Sequence, residues 1–165
     1  MIGPGDSLVE AAAALLADCR RAGVHVATAE SCTGGLIAAC LTEVPGSSDV
    51  FERGFVTYSN VAKQELLKVP ADLLQKHGAV SPHVARAMAV GALQHSRADL
   101  AVSVTGIAGP EGGTSTKPVG LVYLAACRRG GEPTVERHNF AGDRQAVRRA
   151  TVEAAFLLLR AQLPS

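Results

Sequence analysis

The sequence predicts an α/β fold, a single three-layer α/β/α domain over residues 1–165 on a mixed, mostly parallel sheet of about five strands. Three observations predict it. Short β-branched runs alternate with helical repeats through the first two thirds of the chain. Two further strand-like runs near the end, "VGLVYLAAC" and "TVERHNFAG", are separated only by "RRGGEP", close enough for an antiparallel hairpin. A chain of 165 residues that is 47% hydrophobic can bury one substantial core without disulfides or structural metal.

The elements follow in order. "SLVEAAAALLADCRRAG" has Ser7 as an N-cap with Glu10 three residues on, alanine-rich helix formers, and Gly23 as its stop. "VHVATA" is a strand, and "TGGLIAACLTEV" returns to helical periodicity, so Ser31 sits where a strand turns into a helix. After the breaker "PGSSD" come a strand, "GFVTYS", and two short helices, "NVAKQELLKV" and "ADLLQKHG", divided at Pro70. The Ser-Pro start of "SPHVARAMAVGALQHSRA" opens a longer helix that leads into the buried strand "DLAVSVTGIAG". A polar, glycine-rich loop and the hairpin follow, and Asp143 caps a final helix, "RQAVRRATVEAAFLLLRAQL".

Composition removes several classes of function. With 16 Lys plus Arg against 15 Asp plus Glu, and no Trp, the chain has neither the field nor the stacking platforms of a nucleic-acid binder. Cys19, Cys32, Cys40 and Cys127 form no C-x-x-C and the histidines no H-E-x-x-H, so no metal is expected. No apolar run approaches the roughly 18 residues of a membrane span and no secretory leader is read at the start, so no membrane partner and a reducing cytoplasm are expected.

In α/β sheets ligands collect at the carboxyl ends of strands, and "AESCTGG", "TYSNVAK" and "SVTGIAGPEGG" all fall there. A serine hydroxyl is a weak nucleophile until a base takes its proton, and no histidine lies in these segments. Lys63 can substitute if burial lowers its pKa from about 10.4 towards roughly 7 to 8. Ser31 and Lys63 are on different elements, so this is no S-x-x-K pair of the β-lactamase kind. Amides just after Ser31, with Gly34 and Gly35 giving close approach, form a candidate oxyanion hole at a helix N-terminus. Taken singly, Ser31 or Thr33 reads as a helix cap, Cys32 as a small buried hydrophobe, Lys63 as a surface lysine and Tyr58 as a half-buried strand aromatic. "TGIAGPEGGTSTKPVG" is neither a Walker A sequence nor G-x-G-x-x-G, but its backbone N–H groups and the Thr114 hydroxyl can form a concavity for one phosphate. Arg144 sits in the first turn of the last helix, where the dipole disfavours a cation, which marks it as a candidate anchor.

Taken together, "TAESCTGGLIA", "VTYSNVAKQELLKV", "GAVSPHVARAMA", "VSVTGIAGPEGGTSTKPVGLVYLA" and "FAGDRQAVRRATVEAA" resemble the CinA C-terminal domain family of nicotinamide-nucleotide amidohydrolases, also known as PncC, from about Leu8 to Leu163. The chain looks like a stand-alone form of a domain that many members carry behind another. The resemblance implies hydrolysis of the carboxamide of nicotinamide mononucleotide to nicotinate mononucleotide and ammonia, in pyridine-nucleotide salvage, without cofactor or metal. It implies Ser31 as nucleophile and Lys63 as base, with Tyr58 and Thr105 as hydrogen-bonding and orienting groups. Glu30, Thr33, Gly34 and Gly35 around the serine, Gly106, Gly112, Gly113 and Thr114 of the loop, and Arg144 are expected to contact substrate. A small-molecule substrate and a homo-oligomer are implied as partners. The alternatives are an amidase acting on a different amide through Cys32, a nucleotide-binding module without catalysis, and a purely structural protein.

Overall fold

A computed structural model describes residues 5–164. In chain order the elements are α1 (Asp6–Ala22), β1 (Val26–Glu30), α2 (Leu36–Thr42), a 3-10 turn at Ser47–Asp49, β2 (Phe51–Val56), α3 (Asn60–Leu67), α4 (Ala71–His77), α5 (Pro82–Gln94), β3 (Leu100–Gly106), β4 (Leu121–Arg128), β5 (Thr134–Asn139) and α6 (Arg144–Ala161). The sheet order is β2-β1-β3-β4-β5, parallel across β2, β1 and β3 and antiparallel from β3 to β4 and β4 to β5. Only β4 runs against the others, as the hairpin requires.

Helices α1, α2 and α6 cover one face of the sheet, and α3, α4 and α5 the other. The pleat sends successive side chains to opposite faces, and the sequence sorts them by size. Val26, Leu100, Val102, Val104, Val122 and Leu124 point to α1 and α6, while Ala27, Ala29, Ala101 and Ala125 point to α5. The small face lets α5 lie close, and Ser103 spends its hydroxyl on the Ala85 carbonyl of α5 at 2.5 Å. Crowding continues outward: a Cβ on Gly91 of α5 would collide with the Leu67 carbonyl of α3. Gly91 therefore sets how near α3 stands to α5.

The expected caps hold at three helix ends. Gly23 closes α1 in the left-handed region at φ 68°, Ser81 accepts from the Val84 amide at 3.2 Å with Pro82 opening α5, and Asp143 accepts from the Ala146 amide at 2.9 Å. Two expectations are corrected. Ser7 lies inside the first turn of α1, whose N-cap is Gly5 with no side-chain bond. Helix α2 starts at Leu36, later than "TGGLIAACLTEV" suggests, because Gly34 and Gly35 take φ 57° and 102°, outside the right-handed helical region.

The register decides where the chemistry lies. Glu30, the last residue of β1, pairs with Val56, the last of β2, and with Val104 of β3. Strands β1 and β2 end in step beside Val104, while β3 runs two residues further to Gly106, so Ser31, Thr57 and Thr105 lie at one level. This is also where the connections diverge: β1 continues through α2 to β2 on one side, and the chain returns through α3, α4 and α5 to β3 on the other. A crevice at the carboxyl ends of β1 and β3 follows from that reversal.

Candidate active site

Lys63 is 1% exposed, with Phe156 among the largest side chains fully buried among the described residues. Ser59 caps α3 by accepting from the Ala62 amide at 3.0 Å, which fixes the helix start and turns Lys63 and Leu67, four residues apart, inward. The Lys63 Nζ stands 3.0 Å from Ser31 Oγ, 2.8 Å from the Thr57 carbonyl and 3.3 Å from the Tyr58 carbonyl. Two carbonyls use two N–H groups. In the neutral amine the remaining position is a lone pair, and it faces the serine hydroxyl. Desolvation lowers the pKa of Lys63 from 10.5 to about 8, and no carboxylate stands beside it to hold the proton.

Ser31 is 8% exposed and hangs from a turn fixed on several sides. Its amide donates to the Val104 carbonyl at 3.1 Å, which ties the turn to β3, and its own carbonyl accepts from Gly34 at 3.0 Å. Glu30 fixes the turn from beneath: its carboxylate accepts from Thr33 Oγ1 at 2.5 Å, from the Ile37 amide at 2.9 Å and from the Ala38 amide at 3.1 Å. Burial pushes the Glu30 carboxyl above the usual carboxylate range, partly offset by those hydrogen bonds. The N-terminus of α2 thus already holds the Glu30 carboxyl, which occupies the Ile37 and Ala38 amides. Among the described residues, only the Cys32 and Thr33 amides of the turn are uncommitted to another residue.

A cleft of ≈ 270 Å³ opens over the pair, walled by Tyr58, Thr105, Gly106, Gly112, Glu111 and Arg144. Thr105 donates to the Ala79 carbonyl at 2.9 Å, joining β3 to the segment before α5. Arg144 spans the cleft mouth, donating to the Gly109 carbonyl at 2.8 Å and to the Tyr58 hydroxyl at 3.1 Å. A larger cavity of ≈ 800 Å³ adjoins it, sharing Ala108 and Arg144 and lined further by Arg148, Arg149 and Asp143.

Of the expected site residues, the fold brings Ser31, Lys63, Tyr58, Thr105, Gly106, Gly112 and Arg144 to one cleft. The side chains of Glu30 and Thr33 are buried beneath the turn and bonded to each other, which builds the turn. Gly34 and Gly35 supply its left-handed residues. Gly113 lies outside the cleft walls, and Thr114 accepts from the Lys117 amide at 3.0 Å, which holds the loop upon itself. Cys32 packs into the core, and burial pushes its thiol up to about 12, far from a thiolate at neutral pH. Sequence reasoning missed Arg148, which donates to the Cys32 carbonyl at 3.2 Å and the Thr33 carbonyl at 2.8 Å. The available signal was its i, i+4 spacing from Arg144. It also missed Glu111, whose neighbours in sequence mark only a turn.

The family profile described as the CinA C-terminal domain matches residues 8–163. The chain belongs to the CinA C-terminal domain family. It is 58% identical over 144 residues to a CinA-like protein of Citrifermentans bemidjiense, covering 87% of this chain and 34% of that protein. It is 53% identical over 137 residues to the nicotinamide-nucleotide amidohydrolase PncC of Escherichia coli, with 83% of each covered. The crystal structure of the competence/damage inducible protein CihA from Agrobacterium tumefaciens superposes with a TM-score of 0.92 at 49% identity, covering 98% of both chains. The chain spans about a third of the length of several CinA-like and putative competence-damage inducible relatives, against most of the length of PncC.

Proposed function

We propose that this chain hydrolyses the carboxamide of nicotinamide mononucleotide, giving nicotinate mononucleotide and ammonia, as a cytoplasmic step of pyridine-nucleotide salvage. The observation that carries the reading is the buried Lys63 amine 3.0 Å from Ser31 Oγ. The amidohydrolase name of the Escherichia coli relative supplies the substrate. Among the described residues, no cluster of His, Cys, Asp or Glu has the makings of a metal site and no helix is long and apolar enough to cross a membrane.

Neutral Lys63 takes the Ser31 proton as Oγ adds to the carboxamide carbon, and the Cys32 and Thr33 amides face the oxygen that gains charge. The lysine ammonium then gives its proton to the amide nitrogen, the C–N bond breaks, and ammonia leaves an acyl-serine. Water enters along the same path: Lys63 takes one of its protons, the tetrahedral species collapses, and the proton returns to Ser31 Oγ. The Thr57 and Tyr58 carbonyls hold the amine in place throughout. The arginine-lined cavity beside the cleft supports an anchor for the ribose phosphate, whose binding holds the amide against the serine.

Ammonia release from nicotinamide mononucleotide by the wild type, Ser31→Ala and Lys63→Ala is the test. Both variants are expected to lose ~10³-fold or more, and the double variant no more than either, because the two groups act as one unit. A wild type that releases no ammonia removes the amidase reading and leaves a nucleotide-binding module. Retention of activity in Ser31→Ala with loss in Cys32→Ala moves the nucleophile to the cysteine.

A further inference from the structure

Arg148 of α6 lines the arginine-lined cavity and also hydrogen-bonds to the turn that carries Ser31. Its Nε and one terminal nitrogen bridge the consecutive carbonyls of Cys32 and Thr33, at 3.2 and 2.8 Å. The first of those peptide units also carries the Thr33 amide left for the oxyanion, and the second carries the Gly34 amide, which donates to the Ser31 carbonyl. The position of this guanidinium therefore bears on how the turn that carries Ser31 presents the Thr33 amide. On its other side, Arg148 lines the ≈ 800 Å³ cavity with Arg144 and Arg149. Arg149 makes no hydrogen bond or ion pair among the described residues. An oxyanion entering the cavity meets three cations, one of which is already fastened to the turn.

We propose that Arg148 couples occupancy of this cavity by a phosphomonoester to the poise of Ser31, so that the phosphate end of a substrate activates the nucleophile as well as anchoring the molecule. This rests on the reading above that the cavity takes the phosphate. A phosphate oxygen bound to the free N–H groups of Arg148 restricts the guanidinium, and the guanidinium restricts the two peptide units it bridges. Binding energy from a part of the substrate remote from the amide is then used to order the reacting group. The proposal predicts that the two halves of the substrate need not be covalently joined: a sugar phosphate in the cavity accelerates reaction of Ser31 with a small acyl donor that carries no phosphate.

The experiment measures acylation of Ser31 by p-nitrophenyl acetate. Oγ adds to the acetyl carbon, Lys63 takes the proton, and p-nitrophenolate leaves and is read by absorbance. The rate seen with Ser31→Ala is subtracted. In the wild type, ribose 5-phosphate is expected to raise the rate saturably by about 10-fold, and ribose to leave it unchanged. Arg148→Ala and Arg148→Lys are expected to lower the basal rate and bring the enhancement to about onefold; the lysine variant keeps the charge but cannot bridge two carbonyls. A purely structural clamp lowers the basal rate and leaves the enhancement ratio intact, which overturns the proposal. So does a wild type that ribose 5-phosphate does not accelerate, whatever the variants do. Because the acyl donor is not the proposed substrate, a protein that shows the coupling yet releases no ammonia from nicotinamide mononucleotide refutes the substrate and keeps the coupling. The reverse result keeps the substrate and refutes the coupling.

Discussion

At the scale of single residues, the interior of this protein bears an unpaired cost at Lys63 that function explains. A buried amine whose pKa falls from 10.5 to about 8 is protonated in the unfolded chain across a range where the folded chain has lost the proton. Between those values the unfolded state binds more protons, so stability rises with pH from about 8 towards 10.5, and below about 8 the full cost of a buried ammonium is present. That cost is on the order of 3 kcal/mol. Lys63→Met, which keeps the length and removes the charge, is expected to raise the melting temperature at pH 7 while abolishing activity; equal or lower stability would show that the carbonyl contacts outweigh the desolvation. The same titration governs rate. As only the neutral amine can accept the serine proton, kcat/KM should climb about tenfold per pH unit below about 8 and then level. A profile flat from pH 6 to 9 would remove Lys63 as the base.

At the scale of elements, the distance between nucleophile and base is set by how two helices and a turn are seated. Ser31 belongs to the turn after β1, and Lys63 to α3, which Gly91 lets pack close on α5. Gly91→Ala places a methyl against the Leu67 backbone, one helical turn from Lys63, and α3 must retreat. The expected result is a loss of about 1–3 kcal/mol of stability, with a fall in kcat beyond what the remaining folded fraction explains. Unchanged kcat per folded molecule would show that α3 absorbs the shift without moving the amine. The turn has its own support in Glu30, and it shows where sequence reasoning reached its limit. Alternation, caps and Gly-Gly gave the strand, the turn and the nucleophile. That Glu30 faces the end of α2 and not the cleft depends on the start of that helix at Leu36, which two left-handed glycines displaced beyond the periodic pattern. Glu30→Gln keeps the shape but leaves an NH₂ facing an amide donor, so a loss of about 1–3 kcal/mol is expected on chemical denaturation; a neutral effect would mean that the carboxyl is protonated and already donating.

At the scale of the whole molecule, the position of the site was legible because topology places ligands where connections diverge, and the quoted motifs all fell at strand ends. Pairing register, which makes β1 and β2 end level beside β3, was not legible, because it is fixed by contacts between segments distant in sequence. For the same reason Arg144 was found and Arg148 was not: both lie on α6, but only the docking of α6 beside the Ser31 turn gives the second its carbonyl partners. That docking has a consequence for selectivity. The serine and lysine come from β1 and α3, while the cations of the neighbouring cavity come from α6, so a substrate must reach across elements to use both. On the proposed reading a free carboxamide touches only the cleft, and a mononucleotide also reaches the arginine-lined cavity. Nicotinamide should therefore show kcat/KM at least ~10²-fold below that of nicotinamide mononucleotide. Arg149→Ala, which leaves the turn's own hydrogen bonds in place, should raise KM for the mononucleotide and leave nicotinamide turnover unaltered. Equal efficiencies for the two amides in the wild type would separate the cavity from the chemistry and reduce α6 to a covering helix.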